Sequence, residues 1–473
     1  MIEIHHSHIR ISSYSIGDAK GLERMLSVWD SVRFEVSWAN MLYDEDKKEL
    51  RIPGGVSLAA LRKNFPLSDI TYAQKATLAG AATYNCTVKP RDEKQEEAIN
   101  FLIGNDERSA NATERMLCLQ TGGGKTYCTI NALSKLKKRC IIVVDQEKLM
   151  QQWKAEFLKF TNLEEDDICL ISGRPAVDQL LKKKKTDIRY KVFIAMHQTL
   201  GSIEEDVTEL YSKCKIGVNV FDEAHCYAHN MFNINFLTDS ELTFYLTATP
   251  NRSNRLEDEV YQASLQNVPR YGLEDKFNDP YHNLYYISYD SKPSYGVICS
   301  CQSSRGFNTN KFSDYTFSTS YEQFYDIICK LLNITLKNPD NGKTCIIVHK
   351  NDHLAKLKQD LEADYPDVDF GVFSSITSSS SREKELEKKV ILSTDKSMGK
   401  AVDVKGLQFV IMTVPTSSQV VAEQTLGRLR KLDNKKVMYF DLTDTGFKTC
   451  AKQRVMRRKI LDKKAQSIHL LNL

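Results

Sequence analysis

The chain has 473 residues, which at roughly 100–200 residues per domain predicts about three domains. A hydrophobic fraction of 41% excludes wholesale disorder, and 21 Gly with 11 Pro exclude collagen-like and low-complexity readings. Lys and Arg number 65 and Asp and Glu 61, so the net charge of +4 selects no partner class by itself.

No apolar run approaches the roughly eighteen residues needed to span a bilayer. The opening MIEIHHSHIRIS lacks a cationic region and an apolar core of the secretory kind. The expectation is a soluble cytoplasmic chain with no membrane partner. The 12 cysteines are scattered without C-x-x-C pairs, which argues for reduced thiols rather than a disulfide or zinc framework. The Cys299–Cys301 pair and the cluster of His5, His6 and His8 are read as ordinary side chains rather than metal ligands.

In chain order, residues 1–88 predict a small α+β accessory domain: IEIHHSHIRI, a helix-like stretch, then FEVSW and ELRI. Residues 89–280 predict a first α/β domain. Its apolar runs Met116–Leu119, Cys140–Val144, Ile168–Ile171, Val192–Ala195, Val218–Phe221 and Phe244–Leu246 are separated by helix-length segments. Short, continuously apolar runs of this kind are the mark of parallel strands buried on both faces. Residues 281–320, rich in Tyr, Asn and Ser, read as a connection or insertion. Residues 321–445 repeat the α/β pattern through Cys345–Val348, Val368–Phe373, Val390–Leu392, Phe409–Met412 and Val437–Phe440, and residues 446–473 predict a basic C-terminal helix.

The strongest local signal is CLQTGGGKTYCTI, Cys118 to Ile130. An apolar strand enters a glycine turn, and a helix follows. Gly122, Gly123 and Gly124 let backbone N–H groups converge on an anion beside Thr121, and Lys125 reaches phosphates while Thr126 offers a hydroxyl to Mg²⁺. The strict phosphate-loop pattern wants glycine where this chain has Leu119; the strand–turn–helix context compensates. A second GKT at Gly342–Thr344 precedes a strand instead of following one, so it predicts a turn. Downstream, VNVFDEAHCY delivers Asp222 and Glu223 at a strand end. Asp222 suits holding the metal, and Glu223 suits polarising the attacking water.

At these residues a resemblance emerges. TGGGKT, DEAH (Asp222–His225) and TATP (Thr247–Pro250) resemble motifs I, II and III of superfamily-2 helicases and translocases. The resemblance continues through Gln95, placed like the glutamine that reads adenine, and through IIVVDQEKLMQQW, FIAMHQTL, ILSTDKSMGKAVDV and EQTLGRLRK. It implies two tandem RecA-like parallel-sheet domains, ATP and Mg as cofactors, and His225, Asp403 and Gln424 at the nucleotide. Arg428 is then the arginine that reaches the nucleotide from the second domain. Motif VI usually has another arginine where this chain has Lys431, and Arg430 is expected to substitute. Gln146, His197, Gln198, Lys350 and Thr394, at strand ends, are the expected nucleic-acid contacts.

The first 88 residues further resemble the N-terminal region of UvsW-type phage helicases. That implies an ATP-dependent DNA helicase acting on branched or forked DNA in phage replication, recombination and repair. It would act as a monomer in the host cytoplasm, with recombination or single-strand-binding proteins as candidate partners. The alternatives are an RNA helicase or transcript-release helicase, a restriction-type translocase, and a nucleotide-gated binding module without unwinding. Residues 428–473 hold 13 Lys/Arg against 4 Asp/Glu, leaving the other 427 residues with 52 against 57. A basic end on an acidic body is either a DNA footprint or a solvated helix.

Overall fold

The computed structural model describes the chain except residues 13, 15, 31–34, 45–46, 74–78, 121, 253, 274–279, 304–305, 339–341, 379, 399–403 and 433–434, and the side chains of 16, 18, 204–205, 303 and 420. The chain divides into two compact units, Met1–Phe277 and Asn278–Leu473. Among the described residues no helix is long and apolar enough to cross a membrane.

In the first unit, seven parallel strands run in the order Ile168–Ile171, Val192–Met196, Cys140–Val144, Val218–Asp222, Leu242–Leu246, Glu114–Leu117 and Arg270–Tyr271. Every residue of Cys140–Val144 is buried, because helices cover both faces of the sheet. The register pairs Leu117 with Leu246 and Leu246 with Asp222. The strand ends leading to TGGGKT, TATP and DEAH therefore lie side by side at one carboxyl edge, where an open parallel sheet takes its ligands.

Residues 2–72 form a five-stranded mixed sheet, in the order Leu42–Asp44, Glu49–Pro53, His8–Ser12, Ile2–Ile4 and Ile70–Tyr72. Ile2, Ile9, Ile11, Leu22, Leu26, Leu50, Ile52 and Leu61 supply its own core. A separate hairpin, Ser27–Asp30 with Glu35–Ala39, sits beside it. This region is latched to the helix Ala228–Leu237 and the turn that follows it. Ser7 Oγ lies 3.0 Å from the Asn235 carbonyl and 2.6 Å from that of Thr238. His5 and His6 face Asp239, and Arg51 donates to the Phe236 carbonyl at 2.6 Å. The histidine cluster of the sequence is thus a docking latch. Among the described residues no group of His, Cys, Asp or Glu is arranged to hold a metal ion. Under the same contact, Tyr245 donates to buried Glu114, whose carboxyl burial pushes up to about 8.

The second unit holds another seven parallel strands, ordered Phe370–Phe373, Val390–Thr394, Lys343–Val348, Leu407–Met412, Val437–Asp444, His282–Tyr289 and Ala465–Asn472. Two expectations change here. The segment 281–320, expected to connect, contributes the sheet strand His282–Tyr289 and the helices Tyr295–Ser300 and Thr309–Ser318. Its polar residues concealed a strand whose tyrosines are themselves core: Tyr286 and Tyr289 are buried beside Leu284 and Ile287. The C-terminal segment is a helix, Lys448–Leu461, followed by the edge strand Ala465–Asn472.

The arginines of that helix turn largely inward. Arg457, 1% exposed, clamps Asp441 through two hydrogen bonds of 2.7 and 2.9 Å and donates to the Thr416 carbonyl at 2.7 Å. Arg454 donates to Ser288 Oγ, and Arg458 pairs with Asp462. These three arginines are engaged within the unit, while Lys448, Lys452 and Lys459 of the same helix are exposed. As the sequence predicts, the second GKT enters a strand, Lys343–Val348, instead of leaving one.

Candidate nucleotide site

The glycine turn is shaped by backbone that side chains rarely adopt. Gly122 and Gly124 both have φ of +88°. That conformation at Gly124 strains any other residue, and a Cβ there would come within 2.3 Å of Gln95 Nε2. Gly124 caps the helix Lys125–Leu136, directing that helix's N-terminal N–H groups at the turn. Thr126 lies in its first turn. Gln95 itself is buried: its backbone N–H donates to Asp92 Oδ1 and its side-chain Oε1 accepts from the Arg91 N–H, both at 2.9 Å. Thr121 lies outside the described residues.

Lys125 Nζ donates to the Leu119 carbonyl at 3.1 Å and stands 3.8 Å from Glu223 Oε1. Asp222 accepts from Trp153 Nε1 at 2.8 Å and from the Glu223 N–H at 3.1 Å. Burial and the adjacent Glu223 raise its carboxyl to about 6. Glu223 has φ of +49°, a left-handed conformation that costs a non-glycine residue about 1–2 kcal/mol, and its Oε2 is buried without a hydrogen-bond partner. His225 Nδ1 lies 3.5 Å from that oxygen. The His225 ring also meets Thr247 Oγ1 at 2.9 Å and Thr249 Oγ1 at 3.2 Å, tying DEAH to TATP. Burial lowers the His225 pKa.

These residues fit a magnesium nucleotide. The glycine cradle offers N–H groups and a cation to phosphate, and two crowded carboxyls beside it are relieved by a divalent ion. Thr126 and Asp222 are the groups to hold that ion, which when bound neutralises charge on the phosphates.

Expected strand contacts are placed less simply. His197 is 8% exposed and stacked on Tyr227, with Nε2 at 3.1 Å from Asp145 and Nδ1 at 2.8 Å from Asn230. Both ring nitrogens are thus engaged within the unit. Thr394, 6% exposed, bonds Ser397 Oγ at 2.8 Å and accepts from the Ser397 N–H at 3.2 Å, again an internal role. Gln146 caps the helix Glu147–Phe160, Gln198 donates to the Asp145 carbonyl at 3.2 Å, and Lys350 pairs with Asp314 at 2.5 Å.

In the second unit, Gln424 lies half-buried on the helix Gln419–Leu426, and Gly427 caps it. Arg428, 8% exposed, donates through Nε to the Met398 carbonyl at 3.2 Å, and Arg430 is half-buried. Asp403 lies outside the described residues. Sequence reasoning missed Trp153, which orients Asp222, and Arg252, two residues beyond TATP, which donates to the His225 carbonyl. A lone Trp on an amphipathic helix reads as core, so only its ring nitrogen sets it apart.

Comparison with known proteins takes in the segment that carries the glycine turn and DEAH. A family model described as "Type III restriction enzyme, res subunit" matches residues 88–252. Transcript termination protein A18 of Rabbit fibroma virus is 24% identical over 351 residues, covering 70% of this chain and 68% of that protein. The General transcription and DNA repair factor IIH helicase/translocase subunit XPB of Encephalitozoon cuniculi is 27% identical over 190 residues, 38% of this chain and 27% of that one. Among solved structures, S. cerevisiae Dbp5 bound to RNA and ADP BeF3 superposes with a TM-score of 0.54 at 14% identity, covering 80% of this chain and 89% of that chain. In fold, site and these likenesses the chain is similar to superfamily-2 helicases and translocases. It is an ATP-dependent enzyme with two RecA-like parallel-sheet units and a small N-terminal mixed-sheet region.

Proposed function

We propose that this enzyme is an ATP-driven translocase that tracks along DNA and displaces what is bound there, a nascent transcript above all. The observation that carries the reading is the extent of the likeness to the viral transcript termination protein, which takes in 70% of the chain and so reaches well beyond the nucleotide site. The helicase/translocase XPB and the DNA 3'-5' helicase XPB of Kineococcus radiotolerans, 29% identical over 164 residues, support DNA as the track.

In this reading the glycine turn and Lys125 hold the phosphates, and Thr126 and Asp222 hold magnesium. Glu223 takes the proton from the attacking water, while His225 passes the state of the site to TATP. Arg428 has the nucleotide-sensing role of the motif VI arginine, with Arg430 beside it in sequence. Contacts to the track are mainly to phosphate and so largely independent of sequence.

Remodelling of branched DNA, by fork regression and branch migration, is the second reading. It is favoured by the docked accessory sheet of residues 2–72, which lies ahead of the family match beginning at residue 88. The relatives weigh toward transcript release.

The discriminating experiment offers the enzyme a halted transcription complex with labelled RNA and, separately, a model fork. ATP-dependent release of the RNA is expected. Conversion of forks with no RNA released would move the assignment to the second reading.

A further inference from the structure

Among the described residues, the accessory region approaches the catalytic turn by way of Trp38 and Arg252. Trp38, on the hairpin strand Glu35–Ala39, presents its ring 6.0 Å from the Arg252 guanidinium and 5.8 Å from the His229 ring. Arg252 is 16% exposed along its side chain and is held on its other side by Glu257 at 2.6 Å. Its Nη1 donates to the carbonyl of His225, the residue whose ring stands 3.5 Å from the orphan oxygen of Glu223.

Two facts make this contact more than packing. Glu223 sits in a left-handed conformation, so the turn that carries it must be held from outside. Besides the His225 bonds to Thr247 and Thr249, its backbone is held by Ala224 N–H to the Leu246 carbonyl at 3.0 Å, the Tyr227 hydroxyl to the Asp222 carbonyl at 2.7 Å, and Arg252 to the His225 carbonyl. The first two belong to the sheet and to the turn itself. Arg252 alone of the three also meets the accessory region. Directly after the hairpin, Asn40 donates to Ser264 Oγ at 2.9 Å, on the helix Arg255–Ser264 of the first unit.

We propose that Trp38 and Arg252 are positioning residues for ATP hydrolysis, through which docking of the N-terminal region sets the orientation of Glu223. The aromatic face favours the guanidinium where it meets the His225 carbonyl. Displacing the hairpin loosens the turn, and a misplaced base slows proton transfer without weakening phosphate binding. The accessory region then acts on hydrolysis from outside the nucleotide site. This inference rests on the hydrolytic reading of that site.

The test uses the full chain, with Trp38→Leu, Trp38→Phe and Arg252→Lys variants. Steady-state kcat and KM for ATP are measured at saturating DNA, alongside ADP affinity and thermal unfolding. Trp38→Leu keeps an apolar side chain but removes the π face. It should lower kcat roughly tenfold, with KM and ADP affinity within about twofold. Trp38→Phe should restore most of the rate. Arg252→Lys keeps the charge but loses the fork, and should resemble Trp38→Leu. An unchanged kcat in Trp38→Leu overturns the inference. So does a fall in kcat that tracks lost stability and is not rescued by Trp38→Phe. If the unmodified protein hydrolyses no ATP, the hydrolytic reading fails and the inference falls with it.

Discussion

Glu223→Gln lowers kcat for ATP hydrolysis by about 10²–10⁴-fold while leaving nucleotide affinity nearly unchanged. The structure gives the reason. Glu223 occupies a strained backbone conformation, and one of its carboxylate oxygens is buried without a hydrogen-bond partner. Both features cost stability and are explained if that oxygen receives a proton from water during turnover. The phosphate cradle is built elsewhere, from Gly122, Gly123, Gly124 and the helix beginning at Lys125. Glutamine preserves the shape and removes the base, so binding and turnover separate. Single-turnover hydrolysis and equilibrium nucleotide binding make the comparison. Equal losses in both would assign Glu223 to binding instead. Lys125→Ala, by contrast, should lose binding and turnover together.

The second large effect is on stability. Arg457→Ala should destabilise the Asn278–Leu473 unit by about 3–5 kcal/mol, because it leaves a buried carboxylate without its cation. Arg457 and Asp441 are each 1% exposed along their side chains, so water cannot replace the lost partner. Arg457 also ties the helix Lys448–Leu461 to Thr416, just ahead of the helix Gln419–Leu426 that leads into Arg428. The loss should therefore reach the motif VI region. Urea unfolding of the full chain, followed by tryptophan-independent circular dichroism, measures it. A change below 1 kcal/mol would show that the clamp is not a main support of the unit.

Much of the fold was legible because parallel strands buried on both faces are almost wholly apolar. Cys140–Val144 and Val390–Thr394 stand out for that reason. His282–Tyr289 did not, since its rings carry hydroxyls and its neighbours are Asn and Ser, a composition that reads as loop until the burial of Tyr286 is seen. The nucleotide site was legible where one backbone geometry demands one residue, as at Gly124 against Gln95. Strand contacts were less so. His197 and Thr394 sit where the sequence pattern suggests exposure, yet each spends its polar atoms on its own unit. Likewise, the charge excess of the C-terminal segment could not reveal that Arg457 faces inward. Charge counts composition, whereas function follows from which side of the helix is buried.

The most direct measurement of the central claim is the rate of ATP hydrolysis with duplex DNA, single-stranded DNA and RNA, compared side by side at one salt concentration. An ATP-driven DNA translocase predicts that a DNA stimulates turnover above RNA and that Lys125→Ala abolishes the response to every polymer. Stronger stimulation by RNA than by either DNA would contradict the account.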